Sequence, residues 1–231
     1  MDVVTGKESD AVMTVTTEQV EAGQAIYTKR TLAVYDFVVL GVSNRFIWKC
    51  STQALLDHYN KHVTANHLDV GVGTGYFLNR CQFPLPTPRV ALMDLNSGAL
   101  EFASQRIARY KPETYNRNVL EPIPFDGQKF DSVGINYLLH CVPGSIESKS
   151  VAIDHLTDLM NPDAVLFGST LLQGGVRRNW LAKALMDAYN KRGVFSNERD
   201  DLEGLKNALA KRLRDVSVDV IGCAALFAGR V

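Results

Sequence analysis

The residues best suited to ligand chemistry begin at a glycine-rich turn. Residues 68–75 read Leu-Asp-Val-Gly-Val-Gly-Thr-Gly, so a short apolar run ends in three glycines at alternate positions. Glycine adopts positive φ angles and lets the backbone approach a ligand closely. A helix-compatible segment follows at 76–81, and the free amides at a helix start favour a polar or anionic group. The sequence therefore predicts a strand, a turn and a helix, with a nucleoside-like ligand over the turn.

Further candidate residues follow later apolar runs. Asp94 ends one run, and a carboxylate suits two vicinal hydroxyls because it accepts two hydrogen bonds in one plane. Asn118, Asn136 and Tyr137 stand at the ends of the next two runs. His140 comes shortly afterwards, and imidazole titrates near neutral pH, which makes it a candidate general base.

The elements that position these residues alternate between strands and helices. Alternating apolar strands and amphipathic helices predict βαβ units and a parallel sheet. A glycine then joins two final apolar runs, which predicts an antiparallel hairpin. The predicted strands are 67–70, 90–94, 115–119, 132–136, 165–171, 216–221 and 223–228. The predicted helices are 76–81, 98–110, 146–160 with Ser145 as its cap, 180–192 and 202–213.

The segment before the first core strand differs in character. Residues 1–16 are small, polar and aperiodic, which predicts a poorly ordered tail. Residues 17–60 have apolar side chains at helical spacing, with Thr17 as a candidate cap and a predicted break at 41–45. We expect these helices to form a lid at the edge of the sheet, followed by the main domain at 61–231.

Composition bounds the class of protein. A chain of 231 residues suits one α/β domain, and its 25 basic and 25 acidic side chains lack the basic excess of a nucleic-acid binder. The four cysteines form no metal-binding pair, which disfavours a metal site. No apolar run approaches the ~20 residues that span a bilayer, and no signal-peptide pattern is visible. We expect a cytoplasmic monomer or homodimer without nucleic-acid or membrane partners.

Three ligands compete for the glycine turn. A nucleoside triphosphate requires a lysine after the last glycine, and no lysine follows Gly75. A dinucleotide requires Gly-x-Gly-x-x-Gly, but Tyr76 occupies the place of the third glycine. A degenerate dinucleotide fingerprint remains an alternative, because a nicotinamide enzyme also needs an acid at the position of Asp94. The third ligand is S-adenosylmethionine.

These residues resemble the motifs of the class I S-adenosylmethionine-dependent methyltransferases. Residues 68–75 are similar to the first motif of that family, nearly without departure. The resemblance implies that Gly71, Gly73 and Gly75 form a turn under the methionine part of the cofactor. It also implies that Asp69, before the first glycine, helps to hold the cofactor ammonium.

Other motifs of the family follow in the same order. Asp94 resembles the acid that binds both ribose hydroxyls, and the resemblance places Leu95 beside the adenine. Asn118 and Val119 correspond to the adenine-contacting position after the third strand, where aspartate is the more usual residue. An ordinary turn amide is the alternative role for Asn118.

The stretch 130–142 resembles the family's fourth strand and the loop that lines the cofactor and substrate cavity. The resemblance implies that Asn136 and Tyr137 lie close to the transferring methyl group, with His140 at the mouth as base or substrate contact. It covers roughly residues 60–230. It implies an α/β fold with a Rossmann-like, seven-stranded, mostly parallel sheet and an antiparallel C-terminal hairpin.

The N-terminal segment is similar to the lid of small stand-alone methyltransferases of fungal natural-product clusters, of the ustiloxin, phomopsin and viridicatumtoxin types. The resemblance rests on residues 27–36, followed by Arg45 and Trp48. It implies that Tyr27, Tyr35 and Trp48 line the substrate pocket and that Arg45 meets a carboxylate. Core packing of a helix face is the alternative for each.

The predicted activity is methyl transfer from S-adenosylmethionine, which leaves S-adenosylhomocysteine, to an oxygen or nitrogen of a small secondary metabolite. Residues 136–139 lack the prolines found in methylases of nucleobase amines. One alternative is a nicotinamide-dependent oxidoreductase. Another is a methyltransferase fold that binds the cofactor for a non-methylating role. The sequence leaves the acceptor unnamed.

Overall fold

The computed structural model of the protein describes residues 36–231. The predicted tail at 1–16, the Thr17-capped helix, and the candidate substrate residues Tyr27 and Tyr35 lie outside the described residues. The predicted division into tail, lid and main domain therefore stays a prediction.

A seven-stranded sheet forms the centre of the molecule, in the order β3-β2-β1-β4-β5-β7-β6. The first five strands pair in parallel, whereas β7 runs antiparallel to both β5 and β6. This is the predicted α/β architecture with a C-terminal hairpin, and the prediction is confirmed. The strands are β1 (Asn66–Val70), β2 (Arg89–Asp94), β3 (Glu113–Asn116), β4 (Phe130–Asn136), β5 (Met160–Leu171), β6 (Arg214–Ile221) and β7 (Ala224–Arg230).

Helices cover both faces of the sheet, and most begin at a side chain that accepts a hydrogen bond from the first turn. Ser145 caps its helix through a capping box with Ser148, which confirms its predicted role. The α-helices are α1 (Thr52–His62), α2 (Tyr76–Arg80), α3 (Ser97–Arg106), α4 (Ile146–Lys149), α5 (Val151–Thr157), α6 (Trp180–Lys191) and α7 (Leu202–Ala210). A 3₁₀ turn at Ala108–Tyr110 follows α3.

Two predicted elements are shorter than the sequence pattern indicates. The third strand ends at Asn116 instead of 119, because Asn116 Nδ2 turns back to donate to the Asp94 and Leu95 carbonyls. The predicted helix at 146–160 divides at Ser150, whose backbone amide bonds Ser148 in a tighter turn.

The predicted break at 41–45 is wrong. A π-type helix, Asp36–Ile47, runs through these residues. In its last turn the Trp48 amide donates to the Ser43 carbonyl at 2.9 Å, and this spacing of five residues is that of a π-helix. The helix ends where Lys49 takes a positive φ of 57°. Glycine and polar residues end a helix when the backbone groups around them lose their hydrogen-bond partners. Here the backbone keeps its partners through π-helical hydrogen bonds, so the helix continues.

The core lies in layers on either side of the sheet because successive strand residues point to opposite faces. Leu68 of β1 packs with residues of α4, α5 and α7 on one face, and Leu92 of β2 packs with residues of α1, α2 and α3 on the other. A third buried cluster joins Trp48 to α6 and the C-terminal hairpin. These layers fix the carboxyl ends of β1, β2 and β4 side by side, which is where parallel α/β sheets bind ligands.

Candidate cofactor and substrate site

A cleft opens at the carboxyl ends of β1, β2 and β4. The space between its walls, including the part open to solvent, is about 870 Å³, and its lining is more apolar than polar. A mainly apolar lining with a few polar groups is the character of a small-molecule site. The lining residues are Val70, Gly71, Gly73, Asp94, Leu95, Asn96, Ala99, Arg117, Asn118, Val119, Leu120, Tyr137, Leu138, Cys141, Val142 and Pro143.

The glycine turn forms the floor of this cleft. Gly71, Gly73 and Gly75 all have positive φ angles, of 70°, 50° and 68°. A Cβ on Gly71 would stand 2.7 Å from the Leu138 side chain, so this glycine is required by protein packing. A Cβ on Gly73 would meet no atom of residues 36–231 within 4 Å, although Gly73 lines the cleft. Its open side faces the space where a ligand would lie.

Asp94 presents a carboxylate to the cleft at the end of β2. Its Oδ1 accepts a hydrogen bond from the Asn96 amide at 2.8 Å. Burial raises the pKa of Asp94 to about 6, against the opposing effect of the Asn96, Gly73 and Val72 backbone amides. At neutral pH the group is an ionised acceptor in a partly dry setting, which suits vicinal hydroxyls. Leu95 lines the cleft beside it.

Asn118 and Val119 line the far side of the cleft. The Asn118 amide is engaged within its own turn, because Nδ2 donates to Glu121 Oε1 at 2.9 Å and Oδ1 accepts from the Leu120 amide at 3.0 Å. The turn role considered for this residue is thus present, and Asn118 borders the cleft at the same time.

Asp69 lies below the cleft lining. Its side chain is buried against α1, where Tyr59 Oη donates to Asp69 Oδ1 at 3.0 Å. Gly75 likewise lies outside the lining and packs against Ala103 of α3 at the start of α2. Of the ten candidate cofactor residues, Asp69, Gly75 and Asn136 are the ones that the cleft lining does not include.

Asn136 and Tyr137 occupy the end of β4. Asn136 Oδ1 accepts from Ser169 Oγ at 3.1 Å, while its buried Nδ2 has no hydrogen-bond partner among the described residues. Tyr137 lines the cleft with a positive φ of 55°, and its hydroxyl donates to Asn44 Oδ1 at 3.0 Å. This bond ties the π-helix to the cleft.

His140 is buried behind the cleft, and its ring contacts the rings of Phe195 and Tyr137. Burial, reinforced by the nearby Lys149 charge, lowers the pKa of His140 to about 3. Its Nδ1 faces the backbone N–H of Leu171 at 3.4 Å, which assigns the ring proton of the neutral form to Nε2. Both features favour the neutral imidazole, and the base role of His140 stays a prediction.

The two remaining substrate candidates have separate positions. Trp48 is 2% exposed and packs against Phe195 and the third core cluster, so it adopts the core-packing alternative and does not line the described cleft. Arg45 is exposed on the π-helix, with its guanidinium 5.7 Å from the Phe46 ring centre. The structure brings neither of them into the cleft that residues 36–231 form.

Several lining residues were absent from the sequence-based candidates, namely Val70, Asn96, Ala99, Arg117, Leu120, Leu138, Cys141, Val142 and Pro143. Most lie within three residues of a predicted site residue. The whole loop after each parallel strand could therefore have been predicted to line the site, because the carboxyl ends of parallel strands meet at the same edge of the sheet.

Residues 36–231 contain neither a metal-binding cluster nor a membrane-spanning helix. This part of the chain contains no group of three or more His, Cys, Asp or Glu side chains placed to hold a metal ion. None of its helices combines the length and apolar character needed to cross a bilayer.

The chain is similar to known proteins over most of its length. The family described as "Methyltransferase domain" matches residues 68–166. "Demethylluteothin O-methyltransferase" of Streptomyces thioluteus is 40% identical over 210 residues, which cover 91% of each chain. "Physcion biosynthesis cluster O-methyltransferase" of Aspergillus chevalieri is 38% identical over 209 residues, or 90% of this chain and 94% of that protein.

A solved structure shares the fold. N-methyltransferase NodS from Bradyrhizobium japonicum WM9, in complex with S-adenosylhomocysteine, superposes with a TM-score of 0.61 at 16% identity, covering 90% of this chain and 97% of that one. The family match and the relatives select S-adenosylmethionine over the dinucleotide alternative for the glycine turn. The chain belongs to the class I S-adenosylmethionine-dependent methyltransferases.

Proposed function

We propose that this protein transfers the methyl group of S-adenosylmethionine to a hydroxyl oxygen of a small metabolite. The observation that carries the proposal is the near full-length similarity, at 38–40% identity, to two proteins named as O-methyltransferases. The fold alone does not choose the acceptor atom, because the structural neighbour NodS is named as an N-methyltransferase. Fold and reaction site are separable, so the closer relatives carry more weight.

For the cofactor, we propose that Gly71 and Gly73 pass under its methionine part and that Asp94 accepts both ribose hydroxyls. The fit rests on the open side of Gly73 and on the Asp94 carboxylate that borders the same cleft. Leu95, Asn118 and Val119 supply the adenine wall in this arrangement. S-adenosylmethionine contributes an electrophilic methyl on a sulfonium, and the protein contributes alignment and exclusion of water.

For the methionine end, we propose that Asp69 holds the ammonium and that Gly75 keeps α2 close to the turn. Asn136 is the second polar group at this end. Its unpartnered, buried Nδ2 is a donor available to the methionine carboxylate or to the acceptor, because a buried amide N–H without a partner costs free energy until one arrives. Tyr137 closes this end of the cleft from above.

The low pKa of His140 bears on how acidic the acceptor hydroxyl must be. A hydroxyl must lose its proton during methyl transfer, and a base is most effective when its pKa lies near the working pH. Burial places the pKa of His140 at about 3. Cys141, at the cleft wall, has a pKa raised by burial to about 12. We therefore propose an acceptor hydroxyl that ionises readily in water, such as an enol or a phenol conjugated to a carbonyl.

For the N-terminal part, we propose that residues 17–60 act as a lid over the main domain at 61–231. Support comes from the described end of this segment, where Asn44 of the π-helix accepts the Tyr137 hydrogen bond at the cleft. A lid anchored there would cover the methyl-transfer end and not the adenine end. Arg45, exposed on the same helix, remains our candidate partner for an acceptor carboxylate.

The acceptor chemistry is testable with trideuteromethyl S-adenosylmethionine. The purified protein is incubated with a panel of paired aromatics that differ only in a hydroxyl or an amine, and with metabolite extract. We expect the label on hydroxyls, and faster transfer to the more acidic member of a phenol series. Label on the amines would overturn the oxygen assignment. Tight S-adenosylhomocysteine binding without transfer to any extract component would favour the non-methylating alternative.

A further inference from the structure

A chain of buried hydrogen bonds runs beneath the glycine turn and ends at Asp69. Ser132 Oγ lies 2.9 Å from His67 Nδ1, and His67 Nε2 lies 2.8 Å from Tyr59 Oη. Tyr59 Oη in turn lies 3.0 Å from Asp69 Oδ1. The backbone amide of Thr64 donates to Ser132 Oγ at 3.0 Å and begins the series. Four side chains from α1, β1 and β4 thus form one continuous network.

When Asp69 is ionised, these contacts are consistent with donation in one direction along the network, and Ser132 Oγ also lies 2.9 Å from Thr64 Oγ1. Asp69, when ionised, only accepts, so the Tyr59 hydroxyl donates to it. The Tyr59 oxygen then accepts from His67 Nε2–H, which leaves His67 Nδ1 as the acceptor for the Ser132 hydroxyl. Ser132 Oγ accepts the Thr64 amide. Every member is satisfied, and each donor points along the chain towards the carboxylate.

The side chains of the network are buried among apolar and aromatic residues, which fix their positions. Tyr59, His67 and Ser132 are all fully buried. The Tyr59 ring is stacked on Phe77 at 5.7 Å and meets the edge of Phe167 at 5.2 Å, so its hydroxyl is held in place. Replacing both partners of a buried hydrogen bond by apolar groups of the same shape can be nearly neutral, so packing alone does not require a polar network here. The network therefore calls for a reason beyond packing.

We propose that Tyr59, His67 and Ser132 are positioning residues that hold the Asp69 carboxylate in the orientation that meets the ammonium of S-adenosylmethionine. The inference rests on the proposed role of Asp69. Tyr59 occupies one carboxylate oxygen, and the second has no hydrogen-bond donor among the described residues, which leaves it for the cofactor. The network thus connects the packing of α1 against the sheet to recognition of the amino-acid part of the cofactor.

Tyr59→Phe tests this role, because it removes the hydroxyl and retains the stacked ring. Binding is measured by calorimetry for two probes, S-adenosylhomocysteine and 5′-methylthioadenosine, which lacks the amino-acid part. We expect the affinity of Tyr59→Phe for S-adenosylhomocysteine to fall about tenfold, and that for methylthioadenosine to change less than about twofold. Equal losses for the two probes, or none for either, would overturn the proposal, because a general packing defect does not distinguish them.

Two further variants serve as a control and as a test of the far end of the network. Tyr115→Phe removes another tyrosine hydroxyl that bonds a carboxylate, Glu113, and should leave both affinities unchanged. Ser132→Ala removes the far end of the network with little change of volume and should produce a smaller selective loss, of about twofold to threefold. It also keeps the test decisive if Tyr59→Phe does not fold. A selective effect of Ser132→Ala as large as that of Tyr59→Phe would contradict a directional network.

Asp69→Asn distinguishes this proposal from the proposed function. A selective loss for Asp69→Asn without one for Tyr59→Phe would overturn the network and retain the role of Asp69. No selective loss for Asp69→Asn would overturn both. Failure of the wild-type protein to bind S-adenosylhomocysteine would overturn the proposed cofactor site itself.

Discussion

The two ends of the cleft are built in different ways. At the cofactor end, the glycine turn and the carboxyl end of β2 bring a few backbone amides and Asp94 together through local conformation. At the acceptor end, Tyr137 and Cys141 belong to a loop that follows β4 and depends on distant parts of the chain. The difference teaches that cofactor recognition can be carried by a short motif, whereas acceptor recognition depends on tertiary structure.

A buried ion pair holds the acceptor-end loop. Lys149 Nζ donates to Asp200 Oδ2 at 2.7 Å, and both side chains are fully buried. The same ammonium donates to the carbonyls of Leu139 at 3.0 Å and Ser196 at 2.5 Å. The Ser196 amide also donates to the His140 carbonyl at 2.8 Å. One cation thus joins the loop after β4 to the segment before α7.

Removing this cation should have the largest effect. We expect Lys149→Met to lower the free energy of unfolding by about 3–5 kcal/mol, because it leaves Asp200 buried without its partner. Urea denaturation measures the loss. The matched control is Arg212→Ala, which breaks the partly exposed pair with Asp154 and should cost no more than ~1 kcal/mol. Comparable losses for the two variants would contradict the special position of the buried pair.

Gly73→Ala should have the next largest effect, confined to the cofactor end. A methyl group on the open side of Gly73 would occupy ligand space, and we expect S-adenosylhomocysteine affinity to fall roughly 100-fold. Left-handed strain adds a stability loss of about 1–2 kcal/mol. Gly193→Ala, with φ of 69° after α6, should show the strain without the binding loss. A binding loss shared by both variants would remove Gly73 from the site.

The protonation of Asp94 should produce a smaller, pH-dependent effect. Because burial raises the pKa of Asp94 to about 6, the carboxylate that we propose as the acceptor of the ribose hydroxyls is lost as the pH falls through that value. Affinity for S-adenosylhomocysteine should be constant above about pH 7 and fall roughly tenfold towards pH 5. Asp94→Asn should bind weakly at all these pH values. A wild-type profile that stays flat would show that Asp94 does not accept from the ligand.

His140→Asn should have the smallest effect. A general base contributes ~100–10,000-fold to turnover, whereas a buried neutral imidazole that serves packing should cost less than about fivefold in kcat. Turnover of an acceptor found in the labelled screen measures this, across a range of pH. A loss of a hundredfold or more would restore His140 as the base and make the two ends of the cleft chemically, as well as architecturally, different.

The predictions for the cofactor end rest on local signals. The alternate glycines and the acid at the end of β2 determine backbone geometry within a few residues, and seven of the ten candidates line the cleft. Asp69 stands one residue before Val70, a lining residue, yet its side chain points to the other face of β1 and meets α1. Strand alternation was visible in the sequence, but the partner on α1 was not.

The acceptor end resisted prediction for a physical reason. The ordinary titration range of histidine makes His140 a candidate base, but its pKa depends on burial beside Phe195 and on the charge of Lys149, which no pattern near residue 140 indicates. Trp48 is an aromatic at helical spacing, and its distant partners place it in the core. The hydrogen-bond network of Tyr59 and His67 likewise requires the packing of α1 on the sheet.

The position of β7 has a consequence for biosynthesis. Residues 224–228 are buried, and β7 inserts between β5 and β6, so the long edge of β5 stays unpaired until β7 has been synthesised. A nascent chain would expose that edge, which is a template for pairing with other chains. The sheet is therefore complete only once β7 has joined it, and β5 is the segment through which incomplete chains would aggregate.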